Sequence, residues 1–111
     1  MTFIDNFYLS DDITEDRKKI IKRLNNFKKC LSYYLLTISD IKDGMIDIIP
    51  AIEVSMWPAK YQDQLVVIGV SKGPKQASEM VASMVTEIYD ECGNYNIKAY
   101  FENKIASNQV K

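Results

Sequence analysis

The chain has 111 residues, of which 47% are apolar and 26% are charged, and its formal net charge is −1. These values are typical of one globular domain with a single core. The longest apolar run, residues 65–70, is far shorter than the ~20 residues of a membrane-spanning helix, and residues 1–12 lack the pattern of a secretory signal. The composition therefore predicts a soluble, cytoplasmic protein with no membrane partner.

The absence of histidine removes the side chain that most often serves as a general base or a zinc ligand. The two cysteines, Cys30 and Cys92, are not spaced as metal ligands or as a redox pair, so we predict two buried thiols. Histidine-dependent catalysis and zinc sites are thereby excluded. The sequence predicts no catalytic residue, no metal site and no cofactor, and it favours a role other than catalysis.

The first predicted helix spans residues 13–42, with a break near residues 37–40 and a stop at Gly44. Its apolar residues recur at helical spacing: Ile20, Leu24, Phe27, Leu31, Tyr34, Ile38 and Ile41. In its second half, "LSYYLLTI" is apolar on nearly every face, which is typical of a helix covered on more than one side. We therefore predict that a second subunit covers this segment in a homodimer.

Trp57 lies next to Pro58, at the tip of a predicted hairpin, and it is a candidate anchor for an interface or a lid on the core. The predicted interface comprises this tryptophan and the apolar part of the first helix: Leu31, Tyr33, Tyr34, Leu35, Leu36 and Trp57.

Two strands are predicted next, at residues 46–56 and 65–71, and they are expected to form an antiparallel hairpin. The first alternates apolar and polar residues, whereas the second is continuously apolar, as in a strand covered on both faces. Pro50 lacks an N–H group and predicts an edge position or a bulge.

The second helix is predicted from Pro74 to a C-cap at Gly93, because apolar residues between them keep a regular helical spacing. A last strand, "IKAYFE" at residues 97–102, completes a right-handed β-α-β crossover if the strands are parallel. Residues 1–11 form an extended arm that can add an edge strand, and residues 103–111 form a flexible tail. The predicted fold is one α+β domain of order α-β-β-α-β, with two helices on a mixed sheet of three strands, or four with the arm.

A glycine-containing turn links residues 65–71 to the second helix. Free N–H groups at a helix N-terminus and two nearby lysines are the ingredients of an anion site, for which the candidates are Ser71, Lys72, Gly73 and Lys75. The turn matches neither phosphate-binding fingerprint, and Pro74 removes one donor. The alternative is a purely structural turn, in which the glycine permits the bend and the proline begins the helix.

A basic segment, residues 17–29, carries seven of the fourteen basic residues and no acidic one, which leaves the rest of the chain at 7 − 15 = −8. Its outward side is predicted to present Lys18, Lys19, Lys22, Arg23, Lys28 and Lys29. This basic face can be solvated, can follow a nucleic-acid backbone, or can meet an acidic surface. No RNA-binding or helix-turn-helix signature accompanies it.

An acidic surface is predicted on the outer side of the second helix, from Glu79, Glu87, Asp90 and Glu91. These carboxylates lack the ligand loop of a dedicated calcium site. They are predicted to be solvated or to face the basic side of the first helix, in the same molecule or in another one.

Five short segments carry a resemblance. "KKIIKRLN" and "YYLLTI" in the first helix, "VVIGVSKG" before the second, and "EIYDE" followed by "IKAYF" resemble a group of small uncharacterised proteins of anaerobic Gram-positive bacteria. The resemblance covers most of the chain, from Phe7 to Phe101. It implies a bacterial intracellular protein of this size, and it implies no activity and no site residues.

These observations predict a non-catalytic interaction or binding module that self-associates and that can serve an unidentified protein partner within a larger assembly. Two alternatives remain open at this point. One is a protein or enzyme that binds a small phosphorylated ligand at the turn of residues 69–75, and the other is nucleic-acid binding through the basic face.

Overall fold

The computed structural model describes residues 1–14, 16–26, 32–38, 46–93 and 100. Within these ranges the elements follow in the order β-α-β-β-α-α-β-α. The strands are β1 (Thr2–Leu9), β2 (Tyr34–Ile38), β3 (Asp47–Pro50) and β4 (Val66–Ser71). The helices are α1 (Arg17–Asn26), α2 (Ala51–Ser55), α3 (Ala59–Gln62) and α4 (Pro74–Cys92).

The strands form one mixed sheet in the order β1-β4-β2-β3. β4 pairs parallel with β1 and antiparallel with β2, and β2 pairs antiparallel with β3. The predicted α+β class and mixed sheet are confirmed. The N-terminal arm forms the edge strand that was predicted as the fourth strand, so the four-stranded alternative fits the described sheet and the three-stranded one does not. The predicted element order is wrong, because the first predicted helix contains a strand.

The predicted helix over residues 13–42 is wrong in its second half. α1 ends at Asn26, and residues 34–38 form β2, which lies between β4 and β3. Leu35 and Leu36 are both fully buried, so this strand is covered on both faces. An apolar run without polar alternation fits a buried strand as well as a buried helix, and periodicity alone does not separate them.

Helices cover the two faces of this sheet separately. Gly69 of β4 faces α4, since a Cβ at this position would lie 3.2 Å from Met84 Cε. Tyr8 of β1 is paired with Gly69 and lies on the same side. Side chains alternate along a strand, and Leu36 contacts the Gly69 position on the α4 side. Tyr33, three residues before Leu36, therefore points to the opposite side, where its hydroxyl accepts a hydrogen bond from Arg23 of α1 at 3.3 Å. α1 and α4 therefore pack on opposite faces.

The predicted strand over residues 46–56 ends early. β3 stops at Pro50, and this residue is the N-cap of α2. Proline has no N–H to continue a ladder, and its fixed φ suits the start of a helix. The predicted edge position of Pro50 is confirmed in the described sheet, in which β3 is the last strand. The predicted hairpin between residues 46–56 and 65–71 is wrong, because β3 and β4 each pair with β2.

The second predicted helix is confirmed as α4. Pro74 occupies its first turn, and the C-cap Gly93 has a φ of 71° and donates its N–H to the Tyr89 carbonyl at 2.7 Å. The predicted strand at residues 97–102 and its crossover lie outside the described residues, except Tyr100, which has helical backbone geometry and packs against the core. The predicted tail also lies outside them. No helix in the described ranges has the length and apolar character to cross a bilayer.

A candidate docking groove beside the fourth helix

The turn between β4 and α4 is fastened to the end of β1 by side-chain hydrogen bonds. The Lys72 N–H donates to Ser10 Oγ at 3.2 Å, and the Ser10 hydroxyl donates to Asp12 Oδ1 at 2.5 Å. The Ser71 hydroxyl donates to the Gly73 carbonyl at 2.9 Å. Ser10 and Ser71 are both buried, so these bonds satisfy polar groups that are shielded from water.

The four predicted anion ligands are brought together, but part of their donor capacity is used within the chain. The bonds just described engage the Lys72 N–H and the Ser71 hydroxyl. The side chain of Gln76 also lies against the turn, since its Oε1 would be 2.7 Å from a Cβ at Gly73. Gly73 has a φ of 142°, a conformation that favours glycine. Lys75 is exposed. These contacts favour a structural turn, and anion binding here stays a prediction.

Ser10→Ala is expected to lower the free energy of unfolding by about 1 to 2 kcal/mol, because the part-buried Lys72 N–H loses its acceptor. Urea denaturation measures this change. Ser83→Ala is the matched control, because Ser83 is exposed on α4 and its hydroxyl holds no strand in place; its expected effect is within about 0.5 kcal/mol. Equal losses in the two variants would contradict the role given to Ser10.

A groove of about 430 Å³ lies between the segment that ends β1 and the outer side of α4. Its apolar part is formed by Tyr8, Leu9, Met80 and Met84. Its acidic part is formed by Asp11, Asp12, Glu79 and Glu87. The volume is within the ~300–1,000 Å³ of ordinary ligand pockets.

The carboxylates of this groove are exposed, whereas its apolar residues are at least half-buried. Met84 is 2% exposed and belongs to the core, so the base of the groove is a fixed surface. The Tyr8 hydroxyl donates to Glu87 Oε2 at 3.3 Å and joins the edge strand to α4. The groove therefore has an apolar base with solvated negative charge around it.

A second, more open depression of about 510 Å³ continues along α4 and shares Ser83 and Glu87 with the first. Asp90 and Glu91 add two more carboxylates to it. We call the two depressions together the α4 groove. α4 has 19 residues and is ~28 Å long at ~1.5 Å per residue. Within the part of the chain that the structure describes, no group of three or more acidic or cysteine side chains could hold a metal ion.

The predicted basic face is only partly free. The two arginines of α1 bind their own chain: Arg17 Nε donates to the Phe7 carbonyl at 2.8 Å, and an Arg23 terminal nitrogen donates to the Tyr33 hydroxyl at 3.3 Å. Lys18, Lys19 and Lys22 are exposed. Lys28 and Lys29 lie outside the described residues. Of the predicted basic face, the three lysines are therefore the described part that α1 offers to a partner.

The predicted dimer interface is largely internal. Tyr33 is 2% exposed, and Leu35 and Leu36 are fully buried by the chain's own elements. Tyr34 and Trp57 are half-buried and pack against the same core. Leu31 lies outside the described residues. The premise that this apolar segment exceeds what one chain can cover is wrong, because a central strand buries both of its faces in its own sheet and helices.

Sequence reasoning placed Glu79 and Glu87 on the acidic surface of α4 but not the two carboxylates that follow β1. Parallel strands end at the same edge of a sheet, so the pairing of β1 with β4 brings Asp11 and Asp12 beside the start of α4. The "SDD" sequence after β1 was the available signal. Reading it required knowing that the N-terminal arm pairs with β4 in parallel.

No protein-family model matches the chain, and neither a curated protein nor a solved structure gives a significant match, so the sheet order and the groove geometry stand as the findings that bear on its function.

Proposed function

We propose that the protein is a non-catalytic interaction module that binds a basic, partly apolar segment of a protein partner in the α4 groove. The observation that carries this proposal is the combination, in one 430 Å³ groove, of an apolar base and four exposed carboxylates. A basic segment with apolar residues between its charges matches both features.

The two parts of the groove serve different steps of binding. Exposed carboxylates attract a positively charged segment over distances near the Debye length, which raises the association rate and sets orientation more than it adds affinity. Leu9 and Met80 are half-buried, and their remaining surface can be covered by an apolar side chain of the partner. Methionine adapts to different partner shapes because its side chain is unbranched and flexible.

Charge also argues against a phosphorylated ligand in this groove. Asp11, Asp12 and Glu79 line the groove together with Gln76, which lies against the turn at the start of α4. A phosphate in this groove would lie among these three carboxylates and would be repelled. A cationic ligand would be attracted there.

The test is fluorescence anisotropy with a labelled helical peptide of ~12 residues in which lysine and leucine alternate at amphipathic spacing. Binding is expected at ~0.1 M salt, and it should weaken at least ~10-fold at ~1 M, where the Debye length falls from ~10 Å to ~3 Å. A peptide with glutamate in place of lysine should not bind. Equal binding of both peptides, or of neither, would contradict the proposal.

Charge reversal locates the binding site. Asp11→Lys combined with Glu79→Lys is expected to reduce affinity for the basic peptide at least ~10-fold, or about 1.4 kcal/mol, because attraction becomes repulsion at two positions of the groove. Glu53→Lys combined with Asp63→Lys changes the net charge equally at exposed positions outside the groove. This control should retain binding, and a loss in both double variants would indicate a general charge effect.

A further inference from the structure

We infer that the segment bound by the α4 groove is the lysine face of α1 from a second copy of this chain, so that copies associate head to tail. This inference rests on the proposed function and names its partner. It differs from the homodimer expected from the sequence, because it uses the charged surfaces of α1 and α4 and not the buried segment around Tyr33.

The composition of α1 fits the groove. Lys18 and Lys22 are exposed and four residues apart, so they lie on the same side of the helix. Ile21, three residues after Lys18, is half-buried and keeps apolar surface on that side. One lysine, one isoleucine and one lysine thus follow each other along the surface, which matches a groove with an apolar base and carboxylates around it.

The two arginines of α1 explain why this surface is presented in a fixed orientation. Arg17 and Arg23, six residues apart, each hydrogen-bond to their own chain, at the Phe7 carbonyl and the Tyr33 hydroxyl. Ile20 and Leu24 are fully buried beneath the helix. α1 is therefore held on the sheet at both ends, and a partner does not have to order it.

The opposite placement of α1 and α4 decides the symmetry. A two-fold dimer would need both surfaces of one copy to face the same partner, but they lie on the two faces of one sheet. A groove of one copy and the α1 of the next therefore form a heterologous contact. Such a contact continues from copy to copy and gives an open chain, or a ring of three or more copies if the rotation closes. The average mass should rise with concentration without a plateau at the dimer.

The decisive experiment mixes two variants that are each defective in one surface. Lys18→Gln with Lys22→Gln removes the charge of the α1 surface, and Asp11→Lys with Glu79→Lys reverses the charge of the groove; all four positions are exposed. The α1 variant is neutral because glutamates on α1 would be attracted to the lysines of the groove variant. By sedimentation equilibrium at ~0.1 M salt, each variant alone is expected to remain monomeric. Their mixture is expected to form a one-to-one complex that grows no further, because it contains one intact groove and one intact α1.

Several outcomes would overturn the inference. They are a wild-type protein that stays monomeric at low salt, a wild-type plateau at the dimer, self-association by either variant alone, and a mixture that does not combine. Circular dichroism checks that the variants fold. A wild-type protein that binds the basic model peptide but stays monomeric would contradict this inference and would leave the proposed function intact.

Discussion

Leu36→Ala is expected to lower the free energy of unfolding by about 3 kcal/mol, because Leu36 is fully buried in the central strand β2 and truncation leaves a cavity. Its Cδ2 lies 3.4 Å from the position of a Cβ at Gly69, between the sheet and α4. Urea denaturation at low protein concentration, where copies do not associate, measures the change as a shift in midpoint at constant slope.

Ile48→Ala is the matched control for Leu36→Ala. Ile48 is the residue of β3 that is paired with Leu36, and it is 36% exposed. Because its side chain is partly solvated already, truncation should cost about 1 kcal/mol. If Leu36 were instead part of a helix at a dimer interface, its truncation would weaken association and leave the monomer's stability nearly unchanged. Similar losses for Leu36→Ala and Ile48→Ala would contradict the central position of β2.

Gly69→Val is expected to lower the free energy of unfolding by about 3 kcal/mol, because it overpacks a close contact between the sheet and α4. A Cβ at residue 69 would lie 3.2 Å from Met84 Cε and 3.3 Å from the Tyr8 carbonyl oxygen. The methionine side chain can move, but the carbonyl belongs to the backbone of β1 and cannot yield without shifting that strand. Gly69→Ala should cost about 1 kcal/mol by the same mechanism.

A double-mutant cycle separates the two sources of overpacking. Met84→Ala alone removes a buried side chain and should cost about 2 to 4 kcal/mol. Combined with Gly69→Val, it makes room for the new methyl groups, so the double variant should be at least about 1 kcal/mol more stable than the sum of the single changes predicts. Thermal or urea unfolding measures all three variants. Additive losses of unfolding free energy would show that the clash with the β1 backbone, and not with Met84, accounts for the whole destabilisation by Gly69→Val.

The groove and the core share residues, which ties these stability predictions to function. Tyr8 and Met84 line the groove and also contact the Gly69 position. Gly69→Val should therefore weaken peptide binding as well as stability, whereas Leu36→Ala should affect stability alone. This difference distinguishes a groove built on the sheet from one formed by α4 side chains only.

The sequence was sufficient to predict an element where the residues at its ends fix the backbone geometry. α4 was predicted to within a residue because apolar positions repeat at helical spacing between Pro74 and Gly93, and because these two residues fix backbone geometry locally. Pro50 was given an edge position or a bulge for a similar reason, since its missing N–H depends on that residue alone, and β3 is the last strand of the described sheet. The exposed Lys18, Lys19 and Lys22 also followed from the helical stripe that buries Ile20 and Leu24.

The nature of residues 34–38 and the partners of each strand were decided only by the tertiary structure. An apolar run has no periodicity to identify it as a strand, and it becomes one here because β4 and β3 lie on either side of it. The parallel pairing of β1 with β4, across more than fifty residues, is equally non-local. That pairing places Asp11 and Asp12 beside Glu79 and so forms the acidic groove. Contacts between distant segments depend on the packing of the whole chain, so neither segment predicts them by itself.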